Sequence, residues 1–258
     1  MSEDARAALS PRIHAPAPAR DARFRVVDHW IDCVMIPDGP ERIVEFLHRQ
    51  MHEEVNALES SARTLLDFPD ADWQLRLDLA RQCSDESRHA RMFRQAMEQR
   101  GGFVGQYPVL SFQYRIIVAI DTLIGRLTVQ NRSFEAGGID AVEQGIANAE
   151  REGNEDLLPL FEAQLADEVS HVRFANAAIA ALKARDPKQL IQMGAALTQA
   201  AQAFREVMGR AGTEGAHVRV SGRAREEAGF SREEIRVADE LAERLISGGR
   251  AAETKEAR

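Results

Sequence analysis

From Glu41 onward the apolar positions recur at intervals of three and four. Ile43, Leu47, Met51, Val55, Leu58, Ala62 and Leu65 fall on one face of a helix that the Phe68-Pro69-Asp70 turn would end. A second helix is expected over about 71–100, with Leu75, Leu79, Cys83, Ala90, Phe93 and Met97 in one stripe and Gly101-Gly102 as its stop. A third begins near Leu110, carries Ile116, Ile120, Leu123, Ile124, Leu127 and Phe134, and runs towards Gly137-Gly138; a shorter helical piece follows at about 140–151. Asn154 and Pro159 suit the start of a fourth long helix, which reaches Arg185 before Asp186-Pro187. At about 1.5 Å per residue each of the four would be some 35 to 45 Å long. The pattern predicts an all-α fold, a four-helix bundle with additional C-terminal helices.

The flanks read differently. Residues 1–23 have no apolar period and are expected to form an extended or disordered arm. FRVVDHWIDCVMI, 24–36, is apolar enough to pack on something but has no assignable period, and 24–212 is expected to be one helical domain. Residues 189–209 form an Ala-rich helical stretch. Residues 213–258 are expected to hold a polar linker, a last amphipathic helix opened by Ser231 with Glu234 three residues on, and a frayed tail.

Composition narrows the function. With 41 acidic and 33 basic side chains among 258 residues, the net charge of −8 gives no footprint for gripping a phosphate backbone, so nucleic acid is disfavoured. Two cysteines make neither a disulfide framework nor a zinc pair. No run approaches the length of a membrane span and the first residues carry Glu3 and Asp4 in place of an apolar leader, so the cytoplasm is the default expectation.

The sharpest local signal is a repeated Glu-x-x-His: Glu86 with His89 on the second helix, Glu168 with His171 on the fourth. A spacing of three puts each pair on one helix face, and that face is the apolar one. Glu86 lies seven after Leu79 and seven before Phe93; Glu168 lies seven after Phe161 and seven before Ala175. Ionised carboxylates there cost several kcal/mol unless compensated, and a metal ion would compensate them. The first helix offers Glu54, seven after Leu47 and three after Met51, while its neighbour Glu53 points more than a quarter-turn away; the third offers Glu135, eleven after Ile124. Glu54 and Glu86 are 32 residues apart and Glu135 and Glu168 are 33, each enough to run up one helix and back to the same level. The bland alternative is a bundle whose buried Glu–His pairs satisfy one another without metal.

Here the chain resembles a known family. Asp85-Glu86-Ser87-Arg88-His89 looks like the D-E-x-R-H form common among oxygenases and desaturases of the ferritin-like di-iron carboxylate superfamily, whose site takes a Glu, Glu-x-x-His, Glu, Glu-x-x-His set. More closely, MHEEVNALE at 51–59, GRLTVQNRSFEAGGIDA at 125–141 and DEVSHV at 167–172 resemble the conserved boxes of an uncharacterised bacterial ferritin-like family, over about 46–174. The first box also selects Glu54 over Glu53. The chain departs from that family at Gly137, where its box carries Arg.

The resemblance implies a di-metal site, two Fe ions or an Mn/Fe pair with O2 as co-substrate, held by Glu54, Glu86, His89, Glu135, Glu168 and His171, which would also be the catalytic set. Asp85 and Asp167 are candidates to accept the histidine N–H groups; Arg88 would pair with one of them or stand exposed; His52 is either near the site or on the surface. Cys83 is expected to be a small core residue, because a soft thiolate does not suit carboxylate surroundings. Asn131, an amide on an apolar stripe, needs a partner. Phe93 stands where radical-generating ribonucleotide reductase subunits typically carry tyrosine, which argues against a stored tyrosyl radical. The function implied is an O2-activating oxidase or oxygenase acting on a small organic substrate, an oxidoreductase with room for an electron donor and for a homodimer. The alternatives are a ferroxidase or iron-handling protein, which the flanking extensions fit poorly, and a tRNA-modifying hydroxylase, which the acidic balance disfavours.

Overall fold

The computed structural model describes residues 22–34, 36, 39–209 and 219–243. The arm expected over 1–23 lies, but for its last two residues, outside the described residues, as do the first part of the C-terminal linker and the tail.

The fold is all-α. Helix α1 runs Glu41–Asp67, α2 Trp73–Gln99, α3 Phe112–Val118, α4 Leu123–Val129, α5 Ala136–Glu152, α6 Leu158–Arg185, α7 Gln189–Met208 and α8 Gly222–Glu227; residues 232–243, α9, are also helical. A six-residue π-helical segment, Gln130–Glu135, joins α4 to α5 without a break. The two strands are short: β1 (Val26–Val27) pairs in parallel with β2 (Val109–Leu110), Val26 opposite Val109. This ladder gives the unassigned 24–36 segment its place, against the connection between α2 and α3.

Helices α1, α2 and α6 have nearly the expected bounds because the sequence punctuates them. Asp72 caps α2 by accepting the Gln74 N–H at 3.0 Å, and Gly101, at φ 81°, releases the chain from its far end. Proline stands in the first turn of α6.

The third stretch differs from expectation. It breaks not at Gly137-Gly138 but at 119–122, where Thr122 caps a new helix by accepting the Gly125 N–H at 3.3 Å. The buried Arg126 fastens the break, donating to Ile120 O at 2.8 Å and to the Asp67 carboxylate at 2.5 Å. Gly137 and Gly138 then lie inside α5, which ends only at Gly153, at φ 73°. Mid-helix glycine costs about 1 kcal/mol relative to alanine, and the packing of α5 along α6 outweighs it.

Two apolar layers bracket the middle of the molecule. One holds Leu47, Met51, Phe93, Met97, Val142 and Phe161 from α1, α2, α5 and α6; the other holds Leu75, Leu79, Ile124, Leu127, Ala175 and Ile179 from α2, α4 and α6. Between them lies a polar layer. The polar stretch after α7 is not all linker: α8 docks on α5, with Arg225 paired to Asp140 at 2.6 Å and the Ser221 N–H donating to the same carboxylate at 2.9 Å. No helix among the described residues is long and apolar enough to cross a membrane.

Candidate metal centre

The polar layer is the set the sequence points to. Glu54 comes from α1, Glu86 and His89 from α2, Glu135 from the π segment, and Glu168 and His171 from α6. None is more than 6% exposed, so water cannot carry the charge of four carboxylates. Glu54, Glu86, His89 and Glu168 each bring one ligand atom within 4.8 Å of the others, and so do Glu86, Glu135, Glu168 and His171. The two groups share Glu86 and Glu168, the arrangement of two adjacent sites with two carboxylates between them.

The π segment sets the third corner. Its wider turn lets side chains five residues apart face the same way, so Gln130 and Glu135 both point inward and Gln130 Nε2 donates to Glu135 Oε1 at 2.5 Å. Asn131 is buried beside them and donates to Gln82 Oε1 at 2.9 Å, which supplies the partner its place on an apolar stripe demands.

The surrounding contacts run crosswise between half-sites. His89 Nδ1 stands 3.2 Å from both Glu54 and Glu86, while its Nε2 stands 3.1 Å from Asp167 on the other helix. His171 Nδ1 stands 3.3 Å from Glu86 and 3.4 Å from Glu168, and its Nε2 3.3 Å from Asp85. The glutamines repeat the exchange: Gln82 Nε2 donates to Glu135 at 3.0 Å as well as to Glu86 at 3.1 Å, and Gln164 Nε2 donates to Glu54 at 2.9 Å. The signal for these glutamines is in the sequence, where Gln82-x-x-Asp85-Glu86-x-x-His89 is matched by Gln164-x-x-Asp167-Glu168-x-x-His171. A shorter Glu-x-x-His pattern misses it, and Gln130 escapes any α-helical period.

Burial and close charges shift the titration of these groups strongly. Burial holds Glu54 and Glu135 well above the usual carboxylate range. Burial opposes ionisation of Glu168 too, but the adjacent Glu135 and His171 side chains outweigh it and bring it down to about 2. Burial would likewise lower His89 and His171, yet the hydrogen bonds to Glu54 and Glu86 raise His89 to about 11, and the Glu86 charge with the Asp85 hydrogen bond raises His171 to about 10. The neutral form of Glu54 and Glu135 and the charged form of both imidazoles are thus favoured, which is how a buried acidic cluster responds when it lacks positive charge.

The residues fit such ions. Glu168 Oε2 and His171 Nδ1 are buried without a hydrogen-bond partner, as are the oxygens of Gln130 and Gln164 beside them, which is unusual for polar atoms unless something else occupies them. Four carboxylates and two imidazoles form a hard-to-borderline donor set suited to iron or manganese. Both histidines direct Nδ1 inward and Nε2 to a carboxylate, the orientation a ligating imidazole needs. A cavity of about 310 Å³ meets the centre on one side, bordered by Glu54, Glu135 and Glu168 but not by Glu86 or either histidine.

The remaining candidates resolve as follows. Arg88 is 45% exposed and pairs with both Asp85, at 3.4 Å, and Asp167. His52 is buried, its ring 5.2 Å from that of Phe24, so it is not a surface histidine. Cys83 is half-buried, its Sγ 3.6 Å from Leu58 O, and burial with the nearby Glu86 charge pushes its thiol up to about 11. Glu53 turns away from the centre as periodicity requires, but it is half-buried on the cavity rim and is no free surface acid.

Comparison with known proteins adds a family and no activity. A family model described as "Protein of unknown function (DUF455)" matches residues 2–236. No curated protein and no solved structure matches significantly.

Proposed function

The chain belongs to the DUF455 family, and since that family carries no assigned function we propose one from the site itself: a di-metal centre, two iron ions or manganese with iron, that activates O2 to oxidise a small organic molecule. The motif resemblance to ferritin-like di-iron oxygenases supports this reading. The observation that carries it is the one-sided opening. Three of the four carboxylates face a cavity large enough for a small molecule, and Glu86 and the histidines do not border it.

Bound there, redox-active ions would supply the electrons that reduce O2 and the oxidising power turned on a neighbouring C–H bond. As an oxygenase the balance is R–H + O2 + 2 e⁻ + 2 H⁺ → R–OH + H2O, with the two electrons from an external donor; as an oxidase the substrate gives two electrons and two protons to O2, forming H2O2. The protein's part is positional. Asp85 and Asp167 hold the Nε2–H of the opposite histidine, Gln82 and Gln164 hold the carboxylates of Glu135 and Glu54, and Phe93, Phe112 and Phe161 exclude water from the cavity walls.

The experiment is anaerobic ferrous loading followed by O2 uptake with and without a low-molecular-weight cell extract. Uptake beyond the iron's own electrons, dependent on the extract, is expected. Uptake limited to iron oxidation would make the protein a ferroxidase, and tight tRNA binding with a steep salt dependence would move the reading to a tRNA hydroxylase.

A further inference from the structure

Aromatic rings crowd the cavity beside the centre. Aromatic residues make up only 6% of the sequence, yet five of its 11 phenylalanines and one of its two tryptophans border this space: Phe46, Phe93, Phe112, Phe134, Phe161 and Trp30. The phenylalanines fall into two groups. Phe161 leans on Phe46 and Phe93, with ring centres 6.2 and 6.3 Å away, and Phe112 meets Phe134 edge-on at 6.3 Å. A flat ring system entering the cavity can make the offset and edge-to-face contacts that aromatic pairs prefer. Size follows from volume: a dry cavity of about 150 Å³ holds one benzene, so about 310 Å³ holds roughly two fused rings.

Among these walls stands an amide with half of its hydrogen bonding unmet. Gln164 borders the cavity and is 4% exposed; its Nε2 donates to Glu54 Oε1 at 2.9 Å, and its Oε1 is buried without a partner. A carboxylate that binds metal can only accept, so the amide nitrogen is committed to Glu54 and the oxygen is left over. Gln130 also has an orphan oxygen, but it does not border the cavity. A buried acceptor without a donor is costly, and a donor on whatever fills the cavity removes that cost for Gln164. From the ring-lined walls and this one acceptor we infer that the cavity takes a flat aromatic molecule of about two fused rings bearing a ring N–H or O–H, that Gln164 Oε1 accepts that hydrogen, and that Gln164 thereby sets which ring systems are held beside Glu54.

This inference rests on the O2-activating reading for its meaning, but its test is binding and not turnover. Full-length protein in anaerobic ferrous buffer is dialysed to equilibrium against indole and, separately, against benzofuran, which has nearly the same shape with an oxygen in place of the N–H. The wild type should retain indole at least tenfold more tightly than benzofuran, because a site built to bond a donor rejects the analogue that lacks it. Gln164→Leu should bring the two affinities within about threefold of each other, and Gln164→Met, an unbranched replacement of similar length, should do the same if the leucine variant does not fold. General damage to the site would weaken both probes alike and leave their ratio standing, so the ratio reads the amide itself. Gln130→Leu should keep the wild-type ratio. Equal affinities in the wild type, a tenfold ratio that survives loss of the Gln164 amide, a ratio lost equally in Gln130→Leu, or no retention of indole would each overturn the inference. Binding as expected without any O2 uptake would sink the oxidase reading and leave the role of Gln164 standing.

Discussion

The Asp167 carboxylate stands 3.1 Å from Nε2 of His89, although the two residues belong to different helices and to different halves of the centre. Asp85 returns the contact to His171 at 3.3 Å. Each half-site is thus held by the acid next to the other half's glutamate. Replacing Asp85 or Asp167 by Asn keeps the shape but weakens the acceptor that fixes the imidazole tautomer. Metal affinity should fall about 10- to 100-fold for either variant, read by competition with a chelator of known affinity, with helical content unchanged by circular dichroism.

Glu53 and Glu54 are adjacent acids with different surroundings. Glu54 is in the centre, bonded to Gln164 and His89, whereas Glu53 sits on the rim beside Asn56, whose Nδ2 donates to it at 3.3 Å. Glu54→Ala should lose at least one metal ion and all O2 reactivity. Glu53→Ala should retain both ions. Metal analysis of the two purified variants distinguishes them, and the reverse outcome would put the first helix out of register by one residue.

Metal binding should release protons. Burial pushes Glu54 and Glu135 well above the usual carboxylate range, and their carboxylate partners push His89 and His171 up to about 11 and about 10. Divalent ions compete with these protons for the same atoms, so titration of metal-free protein at pH 7 should release protons as the ions bind. Calorimetry in two buffers of different ionisation enthalpy reads the number. Release near zero would contradict the protonation pattern.

His48 gives the fold a separate acid sensitivity. Its ring is fully buried against Phe24 and Tyr107, and its Nε2 accepts the Gly105 N–H at 3.0 Å. Burial lowers its pKa from 6.5 to about 4. The unfolded chain therefore takes up a proton near pH 6.5 that the folded chain refuses until about pH 4, so stability is full above 6.5 and falls as pH drops through that window. The loss totals roughly 3 kcal/mol. Urea unfolding at pH 7 and pH 4.5 should show wild type losing about 2 kcal/mol more than His48→Gln across that interval.

Much of this was legible in the sequence, and the reasons differ by element. Helices α1, α2 and α6 carry one uninterrupted apolar stripe between clear stop signals, and five of the six candidate ligands announce themselves because acids and histidines stand on those stripes; Glu135 stands on the stripe of the third stretch. The third helix misled because glycine is read as punctuation, whereas Gly137 and Gly138 are carried by packing and the true break is the quieter Asp121-Thr122 cap. The π segment has no period of its own, so Gln130 stayed hidden. Gln82 and Gln164 were missed for a plainer reason: neutral amides on an apolar face look like tolerated polar residues until their hydrogen bonds are seen. The β1–β2 ladder is two residues long, too short for any alternation to show.

The central claim is that the six buried residues hold two ions sharing Glu86 and Glu168. The most direct test is metal quantification with X-ray absorption spectroscopy on native, iron-reconstituted protein, alongside the Glu86→Ala/Glu168→Ala double variant. The account predicts two ions per chain about 3.5 to 4 Å apart in the native protein, and none bound tightly in the double variant. One ion or none in the native protein, or a double variant that still holds two, would contradict it.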